Sequence, residues 1–306
     1  MKLLLAFLKL VRARNLFFIA LTQFLFHVCV IVPIFKIEGS LFILSNQLLG
    51  LLILSSVFIA AAGYIINDYF DIDIDQVNKP TKNVVDNIIS RHWAMLLHTI
   101  FSFIGVIIGF YISRVLNFWW IGVINFLCTI LLFFYSTTFK KKNLSGNLII
   151  SFLTAWSVGI IGVVTYFISE PSDTSFKIIR IALLYSSFAF IISLIREVIK
   201  DMEDVQGDAK YGARTMPVVW GINTAKVFVA VWLIVLISSV LLFQLYSLPF
   251  QWWWMEFYCL LFIVVPLTFS LSLLFKATSK MQFHQISNQL KWVMLLGILS
   301  MLFFAN

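Results

Sequence analysis

The stretch YIINDYFDIDID, residues 64–75, joins a long apolar segment to a group of four aspartates. The mostly apolar residues 43–66 have about the length of 17–25 residues that a helix needs to cross the ~30 Å hydrocarbon core of a bilayer. The aspartates Asp68, Asp71, Asp73 and Asp75 come directly after this segment. The sequence therefore predicts a membrane-spanning helix that ends in a concentration of carboxylates.

The whole chain has the composition of an integral membrane protein. Of its 306 residues, 61% are hydrophobic and 12% are charged, against about 45–50% and 25% in soluble domains. The apolar segments predict an all-α membrane protein, since spanning β-strands would be shorter and would alternate. We expect a single domain, residues 1–306, with nine transmembrane helices near residues 16–35, 43–66, 93–113, 118–137, 147–168, 177–197, 224–246, 255–276 and 289–305.

The distribution of basic residues predicts the orientation. Of the 22 Lys and Arg residues, 18 lie in the N-terminal segment and in the loops after predicted spans two, four, six and eight. The opposite side has Lys36, Arg114, Lys177 and Arg180. The positive-inside rule then predicts a multi-pass protein of the cell (inner) membrane, with both aspartate segments on the cytoplasmic side. Residues 1–15 lack a small-residue cleavage site, so we expect them to lie along the membrane surface rather than act as a secretion signal.

Cysteine and histidine give no sign of a metal or redox centre. Cys29, Cys128 and Cys259 lie singly in apolar spans, and the four histidines are scattered without ligand spacing. A haem or zinc enzyme is therefore disfavoured. With no soluble part left over, the sequence also disfavours nucleic acid as a partner, and the net charge of +8 fits anionic lipid headgroups.

The acidic residues are concentrated, since ten of the fourteen Asp and Glu residues fall in segments 68–86 and 197–208. Each segment has three aspartates at i, i+3 and i+7, a spacing that keeps them within about 60° on one face of a helix. Each member of the second set follows its counterpart by 133 residues; the sets are Asp68, Asp71, Asp75 and Asp201, Asp204, Asp208. This offset predicts two four-helix repeats plus a ninth helix, with the functional site between the repeats.

Converging carboxylates need a compensating cation. Two carboxylates about 5 Å apart repel by about 3 kcal/mol at an effective dielectric constant near 20. Oxygen ligands without imidazole or thiolate favour magnesium, which typically binds a few carboxylates together with substrate phosphates. Solvated acidic loops are the alternative interpretation, but two matched sets favour a functional one. An ion channel is disfavoured, because these aspartates lie at helix ends rather than along a path through the membrane.

These motifs resemble those of the UbiA-type intramembrane prenyltransferases. NDYFDIDID is similar to the family's N-D-x-x-D-x-x-x-D motif, and KDMEDVQGD resembles its second aspartate motif. RARN, YSTTFKKKNLSGN and YGARTMPVVWG resemble further segments of the family. The resemblance implies catalytic roles for Asp68, Asp71, Asp201 and Asp204, and metal binding by Asn67, Asp68, Asp71, Asp75, Asp201, Asp204 and Asp208.

The resemblance also implies magnesium-dependent transfer of an isoprenyl group from its diphosphate to a membrane-soluble acceptor, in a central cavity open to lipid. The expected substrate-binding residues are Arg12, Asn15, Tyr64, Asn67, Lys79, Lys82, Tyr135, Lys140, Lys141, Asn147, Lys200 and Arg214. One departure is that Lys79 stands where many family members have arginine, and lysine lacks the bidentate fork of arginine.

Three reactions stay open, two with different acceptors and one without an acceptor. The motifs look most like the branch that includes digeranylgeranylglyceryl phosphate synthases, which would imply a geranylgeranyl diphosphate donor and a geranylgeranylglyceryl phosphate acceptor. Enzymes that prenylate aromatic quinone precursors have the same metal motifs. The same ionisation without an acceptor would make the protein a terpene cyclase. Neither the prenyl chain length nor the oligomeric state follows from the sequence.

Overall fold

The computed structural model describes residues 2–39, 44–72, 85–86 and 88–305. Within these residues, nine helices are long and apolar enough to cross a membrane, and no residue that the structure describes belongs to a β-strand. They are α1 (Ala13–Ile37), α2 (Asn46–Phe70), α3 (Arg91–Leu116), α4 (Trp120–Thr137), α5 (Ser145–Ile168), α6 (Asp173–Lys210), α7 (Ile222–Phe250), α8 (Trp253–Lys276) and α9 (Lys280–Phe304). The predicted all-α membrane fold with nine spans is confirmed. The predicted site residues Asp75, Lys79 and Lys82 lie outside the described residues.

Two helices extend well beyond the apolar segments that predicted them. Helix α6 runs from Asp173 to Lys210 and α9 starts at Lys280, because each is stabilised at its N-terminus by a serine capping box and continues through polar residues. All three aspartates of the second set are therefore helical, as predicted. Helix α2 instead ends at Phe70, before Asp71, although the Asp71 N–H still donates to the Asn67 carbonyl (3.0 Å).

Helices α2 and α6 are the central elements of the two halves. Helix α2 packs against α1, α3 and α4, and α6 packs against α5, α7 and α9. One hydrophobic core lies among α6 to α9, and a second joins α1, α2 and α3 to α5 and α6. The cavity described below lies between α2 and α6, so the two aspartate sets are at its edge.

The N-terminal segment forms a separate short helix, Lys2–Leu10. Leu3, Leu4 and Leu5 are exposed, whereas Ala6 and Leu10 are buried, which is the two-faced pattern expected of a helix that lies on a membrane surface. Arg12 then adopts the left-handed conformation (φ 50°), which is uncommon outside glycine and turns the chain into α1.

Candidate functional site

A cavity of about 760 Å³ is lined at one end, which we call the rim, by the described aspartates of both sets. Its lining comes from α1, α2, α4, α5, α6 and α9, and most of the lining surface is apolar. The described aspartates that line it are Asp68, Asp71, Asp201, Asp204 and Asp208. The sequence prediction that the two sets face one space is therefore consistent with the structure.

Asp68 is held by the N-terminal segment. The Arg12 guanidinium donates to the Asp68 carboxylate over 2.8 Å, and it lies 4.9 Å from the centre of the Tyr64 ring. Burial alone would lower the pKa of Arg12, but its interactions with Asp68, Tyr64 and Asp71 together outweigh burial and raise the pKa above its ordinary value. The left-handed turn at Arg12 therefore brings a fixed positive charge to the rim.

Asp71 is almost completely buried, with 3% of its surface exposed. The Asn67 amide donates to Asp71 Oδ2 over 2.8 Å, and the Lys140 ammonium donates to the same oxygen. Lys140 belongs to the loop between α4 and α5. This contact brings a predicted basic residue from that loop onto the first aspartate set.

The second aspartate set has different partners. The Asn147 amide of α5 donates to Asp201 Oδ2 over 2.8 Å. The Lys280 ammonium lies 3.7 Å from Asp204 Oδ1, an ion pair that the sequence did not predict. Asn147 does not itself line the cavity, so its observed role is to orient a carboxylate that does.

Asp208 lies in the last part of α6 and lines the cavity. The Thr215 hydroxyl donates to Asp208 Oδ2 over 3.3 Å. This contact joins the second aspartate set to the segment that follows α6.

The donor atoms at the rim suit a hard cation. Carboxylates of both sets and the Asn67 amide provide oxygen, the ligand atom that magnesium prefers. In the part of the chain that the structure describes, no three Asp, Glu, His or Cys side chains are close enough together to hold a metal ion. Basic and amide groups hold these carboxylates instead, so metal binding requires an exchange of partners. The residues present fit the ion chemically.

The other predicted binding residues divide into two groups. Asn15, Tyr64, Tyr135, Lys141 and Lys200 line the cavity. The side chain of Arg214 does not line it; its backbone N–H donates instead to the Lys141 carbonyl over 2.8 Å. Arg214 thus joins the segment after α6 to the basic loop, and the structure gives its guanidinium no contact with the cavity.

Sequence reasoning missed four charged residues that line the cavity, Arg196, Glu197, Lys291 and Lys9. The first two were placed at the end of a span that in fact continues to Lys210. Lys291 was counted with a loop, but it lies eleven positions after the start of α9, about three helical turns inside the helix. An ionisable residue at that depth is the signal that identifies a candidate site.

Comparisons with known proteins agree with this geometry. A sequence model of the UbiA prenyltransferase family matches residues 16–301. The chain is 32% identical over 250 residues to digeranylgeranylglyceryl phosphate synthase of Methanosphaera stadtmanae, a match that covers 80% of this chain and 83% of that protein. It is 35% identical to the enzyme of the same name from Saccharolobus solfataricus, over 78% and 80% of the two chains.

Two solved structures have the same fold. One, concerned with digeranylgeranylglyceryl phosphate synthase in membranes, has a TM-score of 0.63 at 22% identity and covers 100% of this chain and 99% of that one. The other, a UbiA homolog from Archaeoglobus fulgidus bound to DMAPP and Mg2+, has a TM-score of 0.56 at 16% identity over 95% and 98% of the chains. On the family match over almost its whole length, the chain belongs to the UbiA prenyltransferase family.

Proposed function

We propose that this protein transfers an isoprenyl group from a polyprenyl diphosphate to a lipid acceptor, with magnesium as its cofactor and residues 1–306 as one domain. The observation that carries the proposal is the mostly apolar cavity whose rim has aspartates of both sets together with Arg12, Lys140 and Lys200. The acidic rim suits metal and diphosphate, and the mostly apolar lining suits a prenyl chain.

The residues assigned to the diphosphate are those at the rim. Asn67, Asp68, Asp71, Asp201, Asp204 and Asp208 are the described residues that would hold magnesium. When bound, magnesium neutralises the developing charge of the diphosphate leaving group. Lys140 and Arg12 lie beside carboxylates at the rim, where their cations also reach phosphate oxygens.

The reaction then breaks the bond between the allylic carbon and the diphosphate oxygen, and the electron pair leaves with the diphosphate. The acceptor attacks the resulting allylic cation, forms the new bond and loses a proton. Tyr64 and Tyr135 line the cavity, and aromatic rings there would stabilise a cation. The apolar walls keep water from competing with the acceptor.

The acceptor we favour is a geranylgeranylglyceryl phosphate, with geranylgeranyl diphosphate as the donor. Relatives at 32% and 35% identity are digeranylgeranylglyceryl phosphate synthases, and the matches cover about four fifths of both chains. This assignment is tested against two alternatives. One is prenylation of an aromatic quinone precursor, and the other is cyclisation of the prenyl chain without an acceptor.

We also propose that the rim faces the cytoplasm from the cell membrane. Contacts between Lys140 and Asp71, and between Lys280 and Asp204, bring the loops after α4 and α8 to the same end as both aspartate sets. The 18 basic residues predicted on one side therefore support a cytoplasmic rim under the positive-inside rule.

The test is a product assay with purified protein in detergent. Geranylgeranyl diphosphate and magnesium are supplied with geranylgeranylglyceryl phosphate, with an aromatic hydroxybenzoate, or with no acceptor. We expect an ether-linked product from the first acceptor alone, and none from Asp68→Asn or Asp204→Asn or in excess chelator. Thermal unfolding in detergent checks that both variants remain folded.

Each alternative has its own signature in this assay. A prenylated aromatic product would show that the acceptor is aromatic. A cyclic hydrocarbon formed without any acceptor would identify a cyclase. Full turnover in excess chelator would contradict the role of magnesium.

A further inference from the structure

A second group of charged side chains lines the cavity beyond the aspartates. Arg196 and Lys200 come from α6, Lys291 comes from α9, and Arg12 precedes α1. Lys291 donates to Asn15, three positions after Arg12, and Arg196 and Lys200 both pair with Glu197. Arg12 pairs with Asp68 and Lys200 directly precedes Asp201, so both belong to the rim. We call the other two, Arg196 and Lys291, the inner basic cluster. They come from two separate parts of the sequence and line the same cavity.

The inner basic cluster has more positive than negative charge. Arg196 (3.4 Å) and Lys200 (2.8 Å) share one carboxylate, that of Glu197. Within the described residues Lys291 forms no ion pair; its ammonium donates to the Asn15 side-chain carbonyl over 3.0 Å and lies 5.3 Å from the centre of the Phe18 ring. Uncompensated cations in an apolar cavity within a membrane are costly, so this arrangement favours a bound anion.

One donor of the cluster is unused. Arg196 Nε is buried and has no hydrogen-bond partner among the described residues. Buried polar groups are almost always hydrogen-bonded, and an orphaned guanidinium N–H in a cavity points to an acceptor supplied by a ligand. Arginine is also the side chain best shaped for the oxygens of a phosphate.

The cluster lies deeper in the cavity than the rim. Arg196 precedes Asp204 by eight positions in α6, which is about 12 Å along the helix axis. Lys291 lies eleven positions beyond Lys280, the residue that pairs with Asp204, which is about 16 Å along α9. The rim and the cluster are therefore two sites, and a diphosphate held by the aspartates leaves the cluster free for another anion.

We propose that the inner basic cluster binds the phosphate head of the acceptor lipid, a phosphomonoester of a glycerol that carries an alkyl chain. This inference rests on the proposed function and assigns Arg196 and Lys291 as binding residues for the acceptor. The cluster sets acceptor choice, because an acceptor without an anionic group would leave its cations buried and unpaired.

A binding experiment without donor or magnesium tests the site independently of turnover. Hexadecylglycerol phosphate and the same lipid without phosphate are titrated into the protein in detergent, and thermal stabilisation is measured. We expect the phosphate lipid, and not the lipid without phosphate, to stabilise the wild type. Arg196→Gln and Lys291→Gln should each bind the phosphate lipid at least about tenfold more weakly than the wild type does. Lys276→Gln, which removes an exposed lysine at the end of α8, is the matched control and should bind as the wild type does.

Kinetics give the second measurement. In the same variants KM for the phosphate-bearing acceptor should rise about tenfold while KM for the prenyl diphosphate stays unchanged, and Lys291→Arg should restore the acceptor KM. Equal binding of the two lipids by the wild type would overturn the inference. A rise in the donor KM alone would also overturn it, because it would assign the cluster to the diphosphate. If no acceptor is prenylated, the proposed function fails while the binding measurement still decides the site. If Lys291→Gln does not fold, Lys291→Arg and Arg196→Gln carry the test.

Discussion

Replacing Gly146 by alanine tests whether the loop that carries Lys140 must lie where the structure places it. Gly146 is in the first turn of α5, and a Cβ there would lie 2.8 Å from the Phe139 carbonyl oxygen and 2.9 Å from Lys140 Cα. Both neighbours are backbone atoms, so no side-chain rotation relieves the contact. The loop itself must move, and with it the ammonium that contacts Asp71.

The size of the effect follows from the contact distances. Ordinary contacts of a Cβ start at 3.4 Å, so the loop must retreat by about 0.6 Å, an overpacking that typically costs 1–3 kcal/mol. Alanine recovers up to about 1 kcal/mol of helix propensity, so the protein should stay folded. Since a misplacement of about 1 Å can cost 10²-fold in rate, we expect roughly a tenfold loss of prenyl transfer.

The control is Gly50→Ala in α2. A Cβ at Gly50 would have nothing within 4 Å, so this variant gains helix propensity without moving the loop. We expect wild-type rates for Gly50→Ala and a tenfold lower rate for Gly146→Ala, with thermal unfolding measured for both in detergent. Wild-type activity in Gly146→Ala would refute the reasoning that the position of the Lys140 loop controls turnover.

Three further predictions concern topology, coupling of the two aspartate sets and the role of Lys140. In a variant without other cysteines, a cysteine that replaces Lys142, beside the site, should not react with an impermeant thiol reagent in intact cells. Labelling from outside would reverse the proposed orientation. The double variant Asp71→Ala with Asp204→Ala should lose little more activity than either single variant, because groups that act as a unit are non-additive, whereas multiplicative losses would indicate independent sites. Lys140→Gln should raise KM for the prenyl diphosphate. It should also strengthen magnesium binding in the absence of donor, measured by thermal stabilisation, because it frees the Asp71 carboxylate. Weaker magnesium binding would contradict this exchange of partners.

The fold was predictable because the membrane imposes a simple length rule on apolar segments. Each of the nine spans has an apolar segment long enough to cross the hydrocarbon core, and polar residues mark most of their ends. The spacing of Asp201, Asp204 and Asp208 required a helix beyond the apolar part of α6, and the structure has that helix. Hydropathy could not show where α6 and α9 end, because polar helix formers continue both helices past the apolar segment.

The partners of the aspartates were not predictable, since they depend on contacts between residues far apart in the sequence. Arg12 reaches Asp68, and Lys280 approaches Asp204, only because the helices pack in one particular way. Arg214 is the converse case. Its position beside the second motif suggested a phosphate contact, but its N–H binds the Lys141 carbonyl and its side chain does not line the cavity.

The pairing of acids with bases at the rim answers the electrostatic problem that the sequence posed. Converging carboxylates repel unless cations separate them, and Arg12, Lys140 and Lys280 do this for Asp68, Asp71 and Asp204. Metal binding to these carboxylates would release the same three cations beside the phosphate oxygens that accompany the metal. The rim would then keep its charge nearly balanced before and after substrate binding, whereas the inner basic cluster is balanced only when an anion enters.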